Sequence, residues 1–112
     1  MRLYLKRNKG NISAIGEYDS QTKKMIVLKG SKISDNIAYS EKFRGAKTIE
    51  KNRETTVKNC IVINDVAFKS ASTAANFVTG NSTNGLAAWK DNDGRKLKDI
   101  VNKLNISNSV SQ

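Results

Sequence analysis

The chain reads as an α+β domain: an antiparallel sheet with helices packed on one side. Short segments of alternating polarity between Arg2 and Leu28 suggest a meander. An alanine-rich helix pattern follows the strand pattern that ends at Phe68, and a further amphipathic stretch comes near the end of the chain. The length of 112 residues suits one modest core. The domain is expected to span residues 1–104, with a polar, frayed tail over 105–112.

Arg2 to Arg7 alternates through Leu3 and Leu5 and predicts a first strand, and Asn8-Lys9-Gly10-Asn11 predicts a turn. Ile12 to Tyr18 is β-like, with Gly16 marking a bulge or a close backbone approach. After a polar turn, Met25-Ile26-Val27-Leu28 is the best strand candidate of the first half. A charged helix is expected from Ser40 to about Lys58, with Phe43, Ala46, Ile49, Arg53 and Val57 near one face. Lys42, Lys47, Lys51 and Lys58 are expected on the other face.

Cys60 to Phe68 resumes a strand pattern, with Cys60 as a small buried hydrophobe. Ser70 or Ser72 caps the next helix, whose Ala71, Ala74, Ala75 and Val78 share a face small enough to lie close to a sheet. Gly80 ends that helix. Asn84-Gly85 predicts a tight turn, and Leu86 to Lys90 a final strand or extended rim. Asp91-Asn92-Asp93-Gly94 is another turn, and Leu97, Ile100, Val101 and Leu104 mark a last helix.

Twenty Lys and Arg face ten Asp and Glu, a formal charge of +10, which favours a polyanionic partner. The chain has no His and one Cys, so it offers neither an imidazole base nor an internal disulfide. A cytoplasmic location is expected, without a membrane span or signal-peptide core. The carboxylates show no paired spacing, and Ser70 and Ser72 have no base nearby in sequence, so no enzyme is expected. Gly45-Ala46-Lys47-Thr48 lacks the order of a phosphate loop, and Asp91-Asn92-Asp93-Gly94 lacks the remaining ligands of a calcium loop. Neither a metal nor a cofactor is expected.

The candidate contacts are therefore those of a nucleic-acid binder. The helix start near Lys69, Ser70 and Ser72 offers amides, hydroxyls and a cation to a phosphate. The polar run through Asn81, Ser82, Asn84 and Gly85 offers amides to phosphates or base edges. Trp89 with Lys90 is a candidate for stacking a base and pairing a phosphate.

From Phe68 to Leu97 the spacing resembles an uncharacterised bacterial domain of unknown function. Phe68, Ser70, Ser72, Ala74, Ala75, Val78 and Gly80 fall in register with its signature, as do Asn84, Gly85, Trp89, Lys90, Gly94 and Leu97. Upstream, Val27-Leu28-Lys29-Gly30-Ser31 matches a further element, and Arg53 sits where that family often has an arginine. Ala71 replaces the usual proline, Lys69 the first serine and Leu86 the first tryptophan. The resemblance implies company with GIY-YIG nuclease domains and restriction–modification proteins. The family is also similar to the restriction-enzyme adenine-methylase-associated domain. No nuclease signature of that kind, Gly-Ile-Tyr or Tyr-Ile-Gly, occurs here.

The expected function is a non-catalytic accessory module that binds DNA, including modified DNA, beside nuclease or methylase subunits. Lys29, Lys32, Lys69 and Lys90 would hold phosphates together with the basic helix, and Ser31 and Arg53 would join the contact surface. The alternative is an assembly module of a restriction complex that meets an acidic protein surface.

Overall fold

The structure is a computed structural model, and residues 1–37 and 46–102 are described. Strands β1 (Arg2–Arg7), β2 (Ile12–Tyr18) and β3 (Met25–Val27) form the expected meander. Helix α1 (Ala46–Thr56) leads into a small hairpin of β4 (Val57–Lys58) and β5 (Ile61–Val62). Strand β6 (Val66–Phe68), helix α2 (Ala71–Thr79) and the short helix α3 (Gly85–Ala88) follow, and residues 97–102 are helical. The main sheet is four-stranded and antiparallel, in the order β1-β2-β3-β6.

Alternation sorts the sheet into two faces. Leu3, Leu5, Ala14, Tyr18, Met25, Val27 and Phe68 point into the core and are buried. Above them lies α2, which turns Ala71, Ala74, Ala75, Phe77 and Val78 inward. Its small residues bring the helix backbone close to the strands, and Phe77 fills the flank against Phe68, with ring centroids 5.0 Å apart.

Both ends of α2 are closed by named groups. At the start, the Ser70 hydroxyl accepts from Thr73 N–H at 3.1 Å. At the end, Gly80 donates its N–H to Asn76 C=O, Ser34 N–H donates to Val78 C=O at 2.8 Å, and the Arg53 guanidinium donates to Phe77 C=O at 2.6 Å. Helix α2 has no cation in its own last turn. Arg53, on α1, supplies one across space, where the helix dipole is negative.

Ser70 has the extended backbone (φ −152°, ψ 161°) that a following proline prefers, and Ala71 is the first helical residue. Ala71→Pro is therefore expected to stabilise the domain by about 0.4–1 kcal/mol, chiefly by narrowing the unfolded ensemble. Thermal melting checks this; a lowered midpoint would show that the ring clashes with its neighbours.

Beyond β3 the chain rejoins β2 by other means. The Ser31 hydroxyl accepts from Ile15 N–H at 2.9 Å, and Lys32 exchanges both backbone bonds with Ser13. Ile61 then bridges to Lys32, which ties the hairpin to the sheet.

Several expectations need correction. Cys60 to Phe68 is not one strand. Asn59 and Cys60, both with positive φ (53° and 65°), turn the β4–β5 hairpin. Cys60 is therefore half-buried at a turn and not a core residue. Burial and a contact with Asp35 raise its thiol pKa. Lys58 belongs to β4 and not to the preceding helix. Asn84-Gly85 opens α3 instead of a tight turn: the Asn84 side chain accepts from Leu86 N–H at 3.0 Å, as a helix cap. Leu86 to Ala88 is accordingly helical and not a strand, and only Lys90 reaches the sheet, as a bridge to Tyr4. The expectations for Lys42, Phe43, Leu104 and the tail over 105–112 lie outside the described residues.

Candidate nucleic-acid interface

The segment expected to hold a phosphate is spent on the fold. Gly85 N–H donates to the Ser72 hydroxyl at 3.0 Å, and the Trp89 indole N–H donates to Ala71 C=O at 3.0 Å. A Cβ on Gly85 would stand 2.3 Å from the Ala71 carbonyl carbon, so α3 lies directly on the start of α2. Trp89 is wholly buried, with its ring edge against Gly16 of β2. Its faces are closed to a base, which corrects the stacking role. Ser70, Ser72 and Gly85 likewise serve the cap and the α2–α3 contact.

Ser31 is fully buried in the sheet junction, and Arg53 is committed to the end of α2 and to Ser34, whose C=O accepts at 3.0 Å. Both residues serve the fold through these bonds. The cations are also divided. Lys69 follows β6, while Lys90 bridges to β1, at the opposite edge of the sheet. With strands about 4.8 Å apart, four spacings separate the Lys90 segment outside β1 from β6, roughly 19 Å. Lys29 is exposed and its backbone N–H is held by Asp65 at 2.7 Å, beside the hairpin.

The sheet face away from α2 gathers what the sequence disperses. Residues paired across strands share a face. Lys90 pairs with Tyr4, which pairs with Ile15, and Lys96 pairs with Lys90 on the outer side. In the next row Lys6 pairs with Ser13 and Ser13 with Lys32. Tyr4 is half-exposed, and the Lys6 ammonium sits 5.6 Å from its ring centroid. On this face Glu17 is held by Arg2 at 2.6 Å. That hydrogen bond, more than any other influence, lowers the Glu17 pKa.

Arg7, at the end of β1, connects this face to the polar loop. A groove of about 500 Å³ is lined by Tyr4, Lys6, Arg7, Ala88, Lys90 and Asp91, the last of these paired with Arg95 at 2.8 Å. A neighbouring one is lined by Arg7 with Asn81, Ser82, Thr83 and Asn84, and the two share Ala87 and Ala88. Asn81, Ser82 and Asn84 are exposed there. Thr83, behind them, donates its N–H to the Asn76 side chain at 2.8 Å, and its hydroxyl lies 2.7 Å from that of Thr79, so the loop is held in shape.

Of the residues expected to bind, Lys32, Lys90, Asn81, Ser82 and Asn84 thus come near one surface. Sequence reasoning missed Tyr4, Lys6, Arg7 and Lys96, which share it. A signal was present: Arg2, Tyr4 and Lys6 occupy alternate positions of one strand, opposite the buried Leu3 and Leu5.

A family profile described as a domain of unknown function, DUF4357, matches residues 3–101. The chain belongs to this family. No curated protein and no solved structure matches it. The DUF4357 match runs from β1 into the last helical segment and so takes in both the sheet face and the polar loop.

Two further carboxylates of the DUF4357 domain, Asp19 and Asp91, are tied into turns and an ion pair. Asp19 accepts from the backbone of Gln21 and Thr22, which lowers its pKa. Asp91 is pushed up by burial, but its bonds from Arg95 and Asp93 outweigh this and hold it low. Among the described residues, no cluster of His, Cys, Asp and Glu is grouped to hold a metal ion, and no helix is long and apolar enough to cross a membrane.

Proposed function

We propose that the domain is a non-catalytic accessory module that binds DNA through the open face of its sheet. The carrying observation is the pair of adjacent rows, Lys96–Lys90–Tyr4–Ile15 and Lys6–Ser13–Lys32, which sets cations on either side of an aromatic ring. Arg7 and the Asn81–Asn84 loop extend this surface and supply amides for base edges or phosphates. Work beside a nuclease or methylase, and a preference for modified DNA, rest on the sequence resemblance alone.

Titration of labelled DNA against increasing salt tests the reading. Affinity is expected to fall steeply with salt. Arg7→Gln with Lys90→Gln is expected to flatten the slope by about 0.7–0.9 for each phosphate no longer neutralised. Absence of binding at low salt would reject the reading.

A protein-assembly reading draws on Ile26 and Ile61, which are exposed at 39% and 37% on the same side of the sheet. Charge reversal at Lys90 and Lys6 that leaves DNA affinity intact while abolishing capture of an acidic partner would select that reading.

A further inference from the structure

Resting on the DNA reading above, we propose that this face takes single-stranded DNA and lays one unstacked base against Tyr4. Among the described aromatic residues, Phe68, Phe77 and Trp89 are buried, Tyr18 lines a separate groove but is itself buried, and Tyr4 alone is half-exposed, in the groove between Lys6 and Lys90. The ring has cations on two sides: Lys6 above it and Lys90 beside it at the strand edge. A base entering the groove displaces the Lys6 ammonium from the ring, and that ammonium then meets the adjoining phosphate. Ala87 and Ala88 line the same groove and supply apolar contact.

Duplex DNA fits this surface poorly. In a duplex, base faces are covered by their neighbours, and exposing one costs a few kcal/mol of unstacking. Reading a major groove needs an inserted helix or two-stranded ribbon. The described part of α1 exposes Lys47 and Lys51 alongside Glu50 and Glu54, so its exposed charge is balanced, and its Arg53 is turned to Ser34 and Phe77. Helix α2 is mostly buried, α3 is a single turn, and the β4–β5 strands are two residues each. The positive surface is instead a shallow sheet face with an aromatic set into it, the arrangement that suits a flexible strand with accessible bases.

The test compares three labelled probes at low salt by fluorescence anisotropy: a short mixed-sequence single strand, an abasic strand of equal length, and the matching duplex. The intact single strand is expected to bind about ten-fold more tightly than the abasic one. Tyr4→Ala is expected to erase that difference and Tyr4→Phe to keep it, with thermal melting confirming that both variants fold. Should Tyr4→Ala fail to fold, Lys6→Gln serves in its place and is expected to weaken binding of both single strands alike. Equal affinity for duplex and single strand, or an abasic strand bound as well as the intact one, would overturn the inference while leaving DNA binding in place. If none of the probes binds, the DNA reading falls, and this inference with it.

Discussion

Trp89→Ala is expected to cost about 3–5 kcal/mol, a large share of the roughly 5–15 kcal/mol that holds a domain folded. The indole is wholly buried, touches β2 at Gly16, and donates to Ala71 C=O at the first turn of α2. Removing it opens a cavity between sheet and helix and deprives that carbonyl of the indole's hydrogen bond. The residue's backbone also carries structure on both sides, since its N–H donates to Gly85 C=O and its C=O accepts from Leu97 N–H. Urea denaturation measures the loss, with Trp89→Phe expected to recover part of the buried area but not the hydrogen bond. A midpoint unchanged in Trp89→Ala would mean that the ring does not join these elements.

Gly80→Ala is expected to cost about 2–4 kcal/mol. The backbone there is left-handed (φ +74°), and an added Cβ would stand 2.1 Å from Asn36 C=O and 2.9 Å from the Ser34 hydroxyl. Those atoms cannot withdraw freely, because Ser34 also holds Val78 C=O and receives Arg53. Gly94→Ala is the matched control: it has a similar φ of +83° but nothing within 4 Å of the added atom. Its cost should be near 1 kcal/mol, from backbone conformation alone. Chemical denaturation of both variants separates the two effects, and equal losses would refute the steric account.

Much of the fold could be read from local pattern. The strand alternation from Arg2 to Tyr18, the small-residue face of α2 and its Ser70 and Gly80 ends all follow from period and capping chemistry. The errors arose where one dipeptide serves two structures. Asn-Gly suits a hairpin, yet here Asn84 caps a helix and Gly85 allows two backbones to touch. Trp89 shows the same limit. Beside Lys90 it resembles a stacking pair, but strand pairing decides its place: Lys90 binds the β1 edge and turns its neighbour inward. Arg53 was visible as a charge, but its helix-ending role depends on α1 meeting α2 in space. The sheet-face site was harder to see because its cations come from distant segments, joined by pairing of Lys90 with Tyr4 and of Lys32 with Ser13.

The strand order carries a kinetic consequence. Strands β1, β2 and β3 neighbour one another in sequence as well as in the sheet, so their pairing demands little loop closure and can form early. Strand β6 joins β3 only after everything between Val27 and Val66 has been drawn into a closed loop. Refolding should therefore be paced by that long-range encounter, with the amino-terminal meander gaining protection from hydrogen exchange before α2 docks and seals its inner face.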